Sequence, residues 1–300
     1  MKTLGKVIYT AVAMLAPICG MAQTTGEGKY SVKAYANIGM GDAMSVESSL
    51  SALDASSSTS DFGIDFGWHF WQAGRHSLSA NIGLGLNSVS AKLSVPQLNY
   101  SYAASSTADM DGESYLRHTE LSDVRQKATV SRFILPVYAS YNYKCVSWLS
   151  IHADLGLKLG FKTSSKLSDV SGNAYCYGVY PQYDNLMIDA DYMNDFGTRE
   201  LNGDNIAEPE VSALTASLLV GAGVKFNIYG PLSADVSLLY DAGFSNLYKE
   251  QTEVGKTFTA ETAPLTYTVK DGSQLKSLTD YLSSSKLSNV SLKLSLIYSF

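Results

Sequence analysis

Charge is what this chain has least of. Of its 300 residues only 17% are Asp, Glu, Lys or Arg, whereas 45% are hydrophobic. Basic residues are outnumbered, 22 to 28, for a formal net charge of −6, which excludes the cationic surface that nucleic acid binding requires. Three cysteines are too few for a disulfide framework. Phosphate-loop, dinucleotide and zinc-ligand spacings do not occur, so no cofactor is expected. Beyond the N-terminus no apolar run approaches the roughly 18–20 residues of a membrane-spanning helix. That absence excludes helical spans but not barrels, whose strands need only about 9–11 alternating residues.

The first segment reads as a targeting signal rather than as structure. Lys2 and Lys6 supply a basic start, Val7 to Ile18 an apolar stretch, and Gly20-Met21-Ala22 a small-x-small cleavage site. Residues 1–22 are therefore expected to be a secretory signal peptide, and 23–300 a single barrel domain. Cys19 would suit lipoprotein processing, but Ala16-Pro17-Ile18 lacks the small residue needed before it. Without Lys2 and Lys6 the chain carries 20 basic and 28 acidic residues, a charge of −8.

What the chain has in quantity is alternation. In 289–300, Val290, Leu292, Leu294, Leu296, Tyr298 and Phe300 are apolar, and every residue between them except Ile297 is polar. A period of two places the apolar set on one face of an extended strand. The same pattern marks 29–39, 60–71, 77–87, 129–143, 149–161, 212–226 and 233–245, so eight strands are predicted. In 60–71, Phe62, Ile64, Phe66, Trp68 and Phe70 alternate with Asp61, Gly63, Asp65, Gly67 and His69. A helix would scatter those aromatics around its circumference. Pro136 falls on the polar face of the fourth segment and predicts a bulge or local break there.

The connections alternate in length. Those at 72–76, 144–147 and 227–231 are tight, while 40–59, 88–128, 162–211 and 246–286 are long. With an even strand count this predicts an all-β fold: an eight-stranded antiparallel transmembrane β-barrel with short periplasmic turns and four long extracellular loops. The apolar faces carry no charge at a central position, where one would cost about 2–4 kcal/mol. The opposite faces carry Lys33, Asp61, Asp65, Arg132, Asp154, Lys158, Asp235, Asp241 and Lys293. These are expected to form a structural charge network in the lumen, with a conducting path as the alternative, because an eight-stranded interior is just wide enough for side chains to fill. Tyr30, Trp68, Phe70, Tyr141, Tyr143, Trp148, Tyr240 and Tyr298 lie near strand ends, where interfacial girdles form. Cys145 and Cys176 fall on opposite sides of the membrane, so no disulfide joins them in this reading.

The whole mature chain resembles the OmpA/OmpX-type eight-stranded outer-membrane barrels, and especially the small outer membrane protein beta-barrel domain group that includes PorT-like proteins. Residues 132–143, Arg-Phe-Ile-Leu-Pro-Val-Tyr-Ala-Ser-Tyr-Asn-Tyr, are similar to that group's apolar-Pro-apolar fourth strand. Leu292, Leu294, Leu296, Tyr298 and Phe300 are similar to the aromatic C-terminal strand that serves such barrels as an assembly signal. The resemblance implies an exported integral protein of the cell outer membrane, with outer-membrane lipid and the barrel-assembly machinery as its partners.

For function the resemblance implies a fold and a membrane but little more. Asp189, Asp191, Asn194 and Asp195 in the third long connection offer clustered oxygens to Ca²⁺, although their spacing is not that of an EF-hand. Tyr175, Tyr177, Tyr180, Tyr183 and Tyr192 make the same segment a candidate recognition surface. The expected role is structural or adhesive, with the loops presented to an unnamed extracellular ligand. Alternatives are a narrow channel or an export-machinery component of the PorT-like kind, and a lipid-modifying enzyme. For the enzyme, Ser150, His152 and Asp154 share a face, but that face points into the lumen rather than toward lipid, so no enzymatic activity is expected. A soluble secreted β-sandwich is the alternative fold, and would pack the aromatics of 60–71 into a core.

Overall fold

The alternating segments fold as strands. The structure is a computed structural model that describes residues 28–48, 50, 52–104, 113–190, 196–204, 206–249 and 277–300; the predicted signal segment lies outside them. In chain order the strands are β1 (Tyr30–Met40), β2 (Met44–Ser48), β3 (Asp54–Ala73), β4 (His76–Ala104), β5 (Tyr115–Val146), β6 (Leu149–Tyr180), β7 (Leu186–Ile188), β8 (Gly197–Glu200), β9 (Leu214–Tyr229), β10 (Leu232–Asn246) and β11 (Leu282–Ser299). Among these described strands, β1, β3, β4, β5, β6, β9, β10 and β11 pair antiparallel in that order, and β1 pairs β11 to close the ring. Closure gives each ring strand a neighbour on both sides along the belt, the condition for a sheet to cross hydrocarbon. The three remaining strands extend it: β2 continues the β11 ladder past β1, and β7 and β8 pair with β6.

The tight turns gather at one end. Gly74 and Gly230 each open a two-residue hairpin turn with positive φ, 61° and 53°. That is the backbone a glycine supplies at the first position of a type II′ turn. At Pro136 the ladder to β4 lapses between the pairs Ile82–Val137 and Gly85–Ile134 without a change of register, so the expected interruption is a local break rather than a bulge. Gly83 makes room for the ring, since a Cβ there would lie 2.8 Å from Pro136.

Side chains sort into two environments along each long strand. In the lower part of β4, Ile82, Leu84 and Leu86 are exposed while Asn81 and Asn87 are buried. Two residues further on the preference reverses: Val89, Ala91, Leu93 and Val95 are buried, and Ser88 and Lys92 are exposed. The reversal occurs at one height around the barrel. The row Phe62–Leu86–Phe133–Phe161 ends the apolar exterior, and the next outward row up is Ser60–Ser88–Ser131–Ser164. On β11 the same change falls between Val290 and Ser288 outside and between Asn289 and Leu287 inside.

Above that height the barrel is filled like a soluble domain. One cluster joins Leu93, Val95, Leu121, Val124, Ile206 and Leu278; a second joins Val89, Ala91, Ala128, Val130, Leu247 and Leu282. The described parts of the four long connections stand at the end opposite the tight turns, and the structure adds what they contain. The 88–128 connection is paired strand up to Ala104 and again from Tyr115, and 162–211 is strand up to Tyr180. From Ser131 to Tyr115 and from Ser164 to Tyr180, β5 and β6 rise on the order of 40 Å above the belt, at about 3.4 Å per residue and ~40° of tilt.

Candidate functional site

Three surfaces follow from this arrangement: the belt, the lumen and the extension. The belt exposes Phe62, Phe66, Trp68, Phe70, Leu84, Val137, Leu155, Leu238 and Leu294 over the strand span a bilayer needs. A water-facing surface of this extent has no partner within the chain; hydrocarbon is the solvent that suits it. The barrel is therefore a transmembrane one. Tyr30, Trp68, Phe70, Tyr141, Trp148 and Tyr240 are exposed, as a girdle requires. Tyr143 and Tyr298 are exceptions: Tyr143 is half-buried, and Tyr298 is only 5% exposed, with the Phe300 ring centre 6.3 Å from its own. Of the other residues of the terminal strand, Leu294 and Phe300 are exposed and Leu292 and Leu296 half-buried on the lipid side.

The predicted lumen charges all point inward, and the structure brings them together across the bore. Lys158 Nζ lies 2.5 Å from Asp241 Oδ2 and 3.3 Å from Asp61 Oδ2. Lys293 Nζ lies 3.0 Å from Asp65 Oδ2, which also accepts from Tyr138 Oη at 2.6 Å. Lys33 Nζ donates to Tyr138 Oη at 3.3 Å. Asp154 and Asp235 flank His152, at 3.2 Å from Nδ1 and 2.7 Å from Nε2. Arg132 donates to Asn87 Oδ1 through Nη2 at 2.5 Å and to Thr215 Oγ1 through Nη1 at 2.6 Å. These contacts tie β3 to β6, β10 to β6 and β11 to β3, so opposite walls hold each other.

Residues not singled out from sequence complete the network. Tyr35 lies over Gly63 and Gly85, where an added Cβ would come within 2.7 Å of its hydroxyl, and Lys293 Nζ sits 4.2 Å from its ring centre. An inward tyrosine on one wall facing glycines on the next is visible in sequence only once the register is known. His152 shares a face with Ser150 and Asp154 as predicted, but both its ring nitrogens are engaged by carboxylates. Neither nitrogen is left to take a proton from a serine hydroxyl, as a nucleophile-activating base must.

On the extension, the outer face of β5, β6 and the segment after β7 carries an aromatic row. His118 stacks on Tyr177 with ring centres 4.9 Å apart and planes 4° from parallel, and Ser101 Oγ lies 2.7 Å from its Nδ1. Burial pushes the His118 imidazole below its ordinary value, with Glu120 opposing. Tyr175 donates to Asp189 Oδ2 at 2.9 Å, and that bond raises the phenol's pKa. Exposed Met187 lies beside Val179, one outward row above Tyr177. Tyr180 points inward, against Tyr115. Of the proposed calcium cluster, Asp191, Asn194 and Asp195 lie outside the described residues, as does Tyr192; among the described residues no group of three or more His, Cys, Asp or Glu is placed to hold a metal. Cys145 lies beside the β5–β6 turn and Cys176 is buried in the extension, so the two thiols stand at opposite ends.

No family model matches the chain, so the narrower PorT-like assignment gains no support, and no curated protein matches it. Among solved structures the chain is similar to Ail, the attachment invasion locus protein of Yersinia pestis, in complex with the heparin analogue sucrose octasulfate. The two are 12% identical over 92% of this chain and 100% of that one, with a TM-score of 0.30. It is also similar to the translocator domain of the autotransporter NalP from Neisseria meningitidis, at 13% identity over 100% and 98% and a TM-score of 0.26. An outer membrane channel from Pseudomonas putida F1 is 10% identical over 94% and 98%, with a TM-score of 0.28. The likeness carries no residue-level correspondence; the membrane assignment rests on the belt, the lumen and the closed ring.

Proposed function

We propose that the protein is a structural and adhesive component of the outer membrane surface, and that the extension of β4, β5 and β6 is the part that meets other molecules. One observation carries this reading. The three strands continue far past the apolar belt and enclose their own apolar interior, a length that spanning the membrane does not require. A paired and filled extension holds its outer face rigid, so the His118, Tyr175, Tyr177 and Asp189 row needs little ordering on binding. Tyrosine with adaptable polar neighbours is a composition that recognition surfaces use. We take the protein to be non-catalytic, because the histidine that shares a face with a serine has both nitrogens occupied.

The test is made on whole cells. Boiling should shift the protein's band on a mildly denaturing gel, and external protease should cut only within the long connections 40–59, 88–128, 162–211 and 246–286 while leaving the belt strands intact. A strain lacking the protein, or carrying Tyr175→Ser/Tyr177→Ser, should lose binding to the surfaces the parent cells colonise. Recovery in the soluble fraction without a heat shift would sink the membrane reading. Unchanged binding by the Tyr variant, with the heat shift intact, would sink the adhesive one.

A further inference from the structure

The outer face of the upper extension carries acids held by phenols rather than by cations. Above Ser122 on β5 the outward positions are Glu120, His118 and Leu116, and their partners on β6 are Tyr175, Tyr177 and Val179. Among the described residues no Lys or Arg shares this face. Arg117 turns inward, 5.6 Å from the centre of the Phe196 ring, and Arg199 turns inward to lie 4.0 Å from the Cys176 sulfur. Tyr175 donates to Asp189 Oδ2 at 2.9 Å, Tyr177 to Glu120, and at the top Tyr183 to Glu113 Oε1. A phenol fixes a carboxylate in place without cancelling its charge, and each carboxylate keeps lone pairs for a second donor. Glu120 is directly opposed to Tyr175 across the β5–β6 ladder, and Asp189 reaches Tyr175 from the β7 side. Two negative charges therefore bracket the Tyr175 and Tyr177 rings, whose centres are 5.4 Å apart.

Charge and ring together select the partner. An aromatic face attracts a cation, and carboxylates beside it add to that attraction and repel polyanions. The next outward row, Leu116–Val179–Met187, is apolar. Such a row suits the stem of an arginine or lysine whose charged head reaches an acid nearby. We propose that this face of β5, β6 and β7 docks an extended arginine- or lysine-rich segment of a partner protein. Its cationic heads lie over the tyrosine rings between Glu120 and Asp189, and its stems run along Leu116, Val179 and Met187. The inference rests on the adhesive reading above and names the chemistry of what is bound.

The test uses the full chain in phosphatidylcholine nanodiscs and reads the fluorescence anisotropy of a labelled octa-arginine peptide at about 50 mM salt, where exposed charges are weakly screened. A labelled octa-glutamate peptide and labelled maltoheptaose are the other probes. Wild type should bind the arginine peptide alone. Glu120→Gln/Asp189→Asn, which keeps both rings, should weaken that binding by about tenfold, roughly threefold for each acid. Both residues are exposed, so the variant should keep the barrel and its heat shift. Glu47→Gln/Asp54→Asn removes the same charge from β2 and β3, away from this face, and should leave binding as in wild type. Equal loss in the two double variants would mean diffuse attraction to an acidic protein and overturns the proposal. So does unchanged binding by Glu120→Gln/Asp189→Asn, or retention of maltoheptaose or the glutamate peptide in place of the arginine one. The adhesive reading is tested separately on cells: if Tyr175→Ser/Tyr177→Ser cells lose binding while wild-type nanodiscs hold no arginine peptide, this proposal falls and that reading stands.

Discussion

Removing one cation from the lumen should cost more than removing the whole triad it belongs to. Lys158 lies between Asp241 and Asp61, whose side chains are 8% and 4% exposed. Lys158→Met keeps most of the stem's volume but leaves two carboxylates facing one bore without a cation. Breaking a buried pair from one side costs about 3–5 kcal/mol, because the orphaned charge stays desolvated. Replacing the acids as well removes that penalty, so Lys158→Met/Asp61→Asn/Asp241→Asn should recover most of the loss. The assay is urea unfolding in detergent micelles, followed by the heat-dependent gel shift. With a slope of about 3 kcal/mol/M, the single variant's midpoint should fall by about 1–1.7 M, and the triple variant should return to within about 0.5 M of wild type. A single variant at the wild-type midpoint, or a triple variant no better than the single, would refute the reading of Lys158 as the tie between two walls.

The same titration separates belt from extension. Leu84→Arg on the lipid face should cost about 2–4 kcal/mol, whereas Ser90→Arg, above the last aromatic row, should cost about 0–1 kcal/mol; equal costs would misplace the boundary. Leu93, only 2% exposed inside the extension, should cost about 2–5 kcal/mol when truncated to Ala. That loss should appear as new protease cuts within 88–128 while the heat shift persists, and loss of the heat shift would show that belt and extension unfold as one. For His118 the sign is fixed by burial, which holds the folded imidazole below its ordinary value near 6.5. The unfolded chain then binds the proton first, so stability around the His118–Tyr177 stack is present above pH 6.5 and is lost as pH falls through the folded value. Amide protection at residues 116–120, taken relative to the intrinsic exchange rate at each pH, should fall at pH 5 relative to pH 7.5, and His118→Asn should flatten the dependence; a dependence that survives the substitution assigns it elsewhere.

The number, order and direction of the eight ring strands were legible in the sequence because apolar side chains recur every second residue in each belt segment, whereas the short strands β2, β7 and β8 were not. The inward charges were legible for the same reason: Asp61 and Asp65 occupy the gaps between Phe62, Ile64 and Phe66. Their partners were not, since Lys158 meets Asp241 only through the relative stagger of β6 and β10. The extension was hidden by a change of phase. Ser88-Val-Ser-Ala-Lys-Leu-Ser-Val95 alternates as strictly as the belt does, but its apolar residues sit on the other parity. Measured against a face that is apolar outward, that run looks like the end of a strand; measured by period alone, it is the same strand entering a second solvent. Tyr180 and Cys176 were misleading for a related reason, standing in a segment read as a surface loop while they are buried.

The phase change also bears on whether anything passes through the barrel. Below it, the bore is crossed by Lys158, Lys293, His152 and their carboxylates. Above it, Val89, Ala91, Ala128 and Val130 meet Leu247, Leu282 and Leu287 in an apolar layer. An ion entering from the turn end would have to separate buried charge pairs and then shed its water in a largely apolar layer, whose buried Ser285 hydroxyl is already bonded to the Tyr248 backbone, two barriers in series. The two are built from different residues, so removing one leaves the other. Planar bilayers holding wild type should therefore show no unit conductance steps, and neither should Lys158→Met, although its polar tie is gone. Steady steps in wild type would mean that the apolar layer opens. Steps that appear only in Lys158→Met would mean that the charge network alone had been closing the bore.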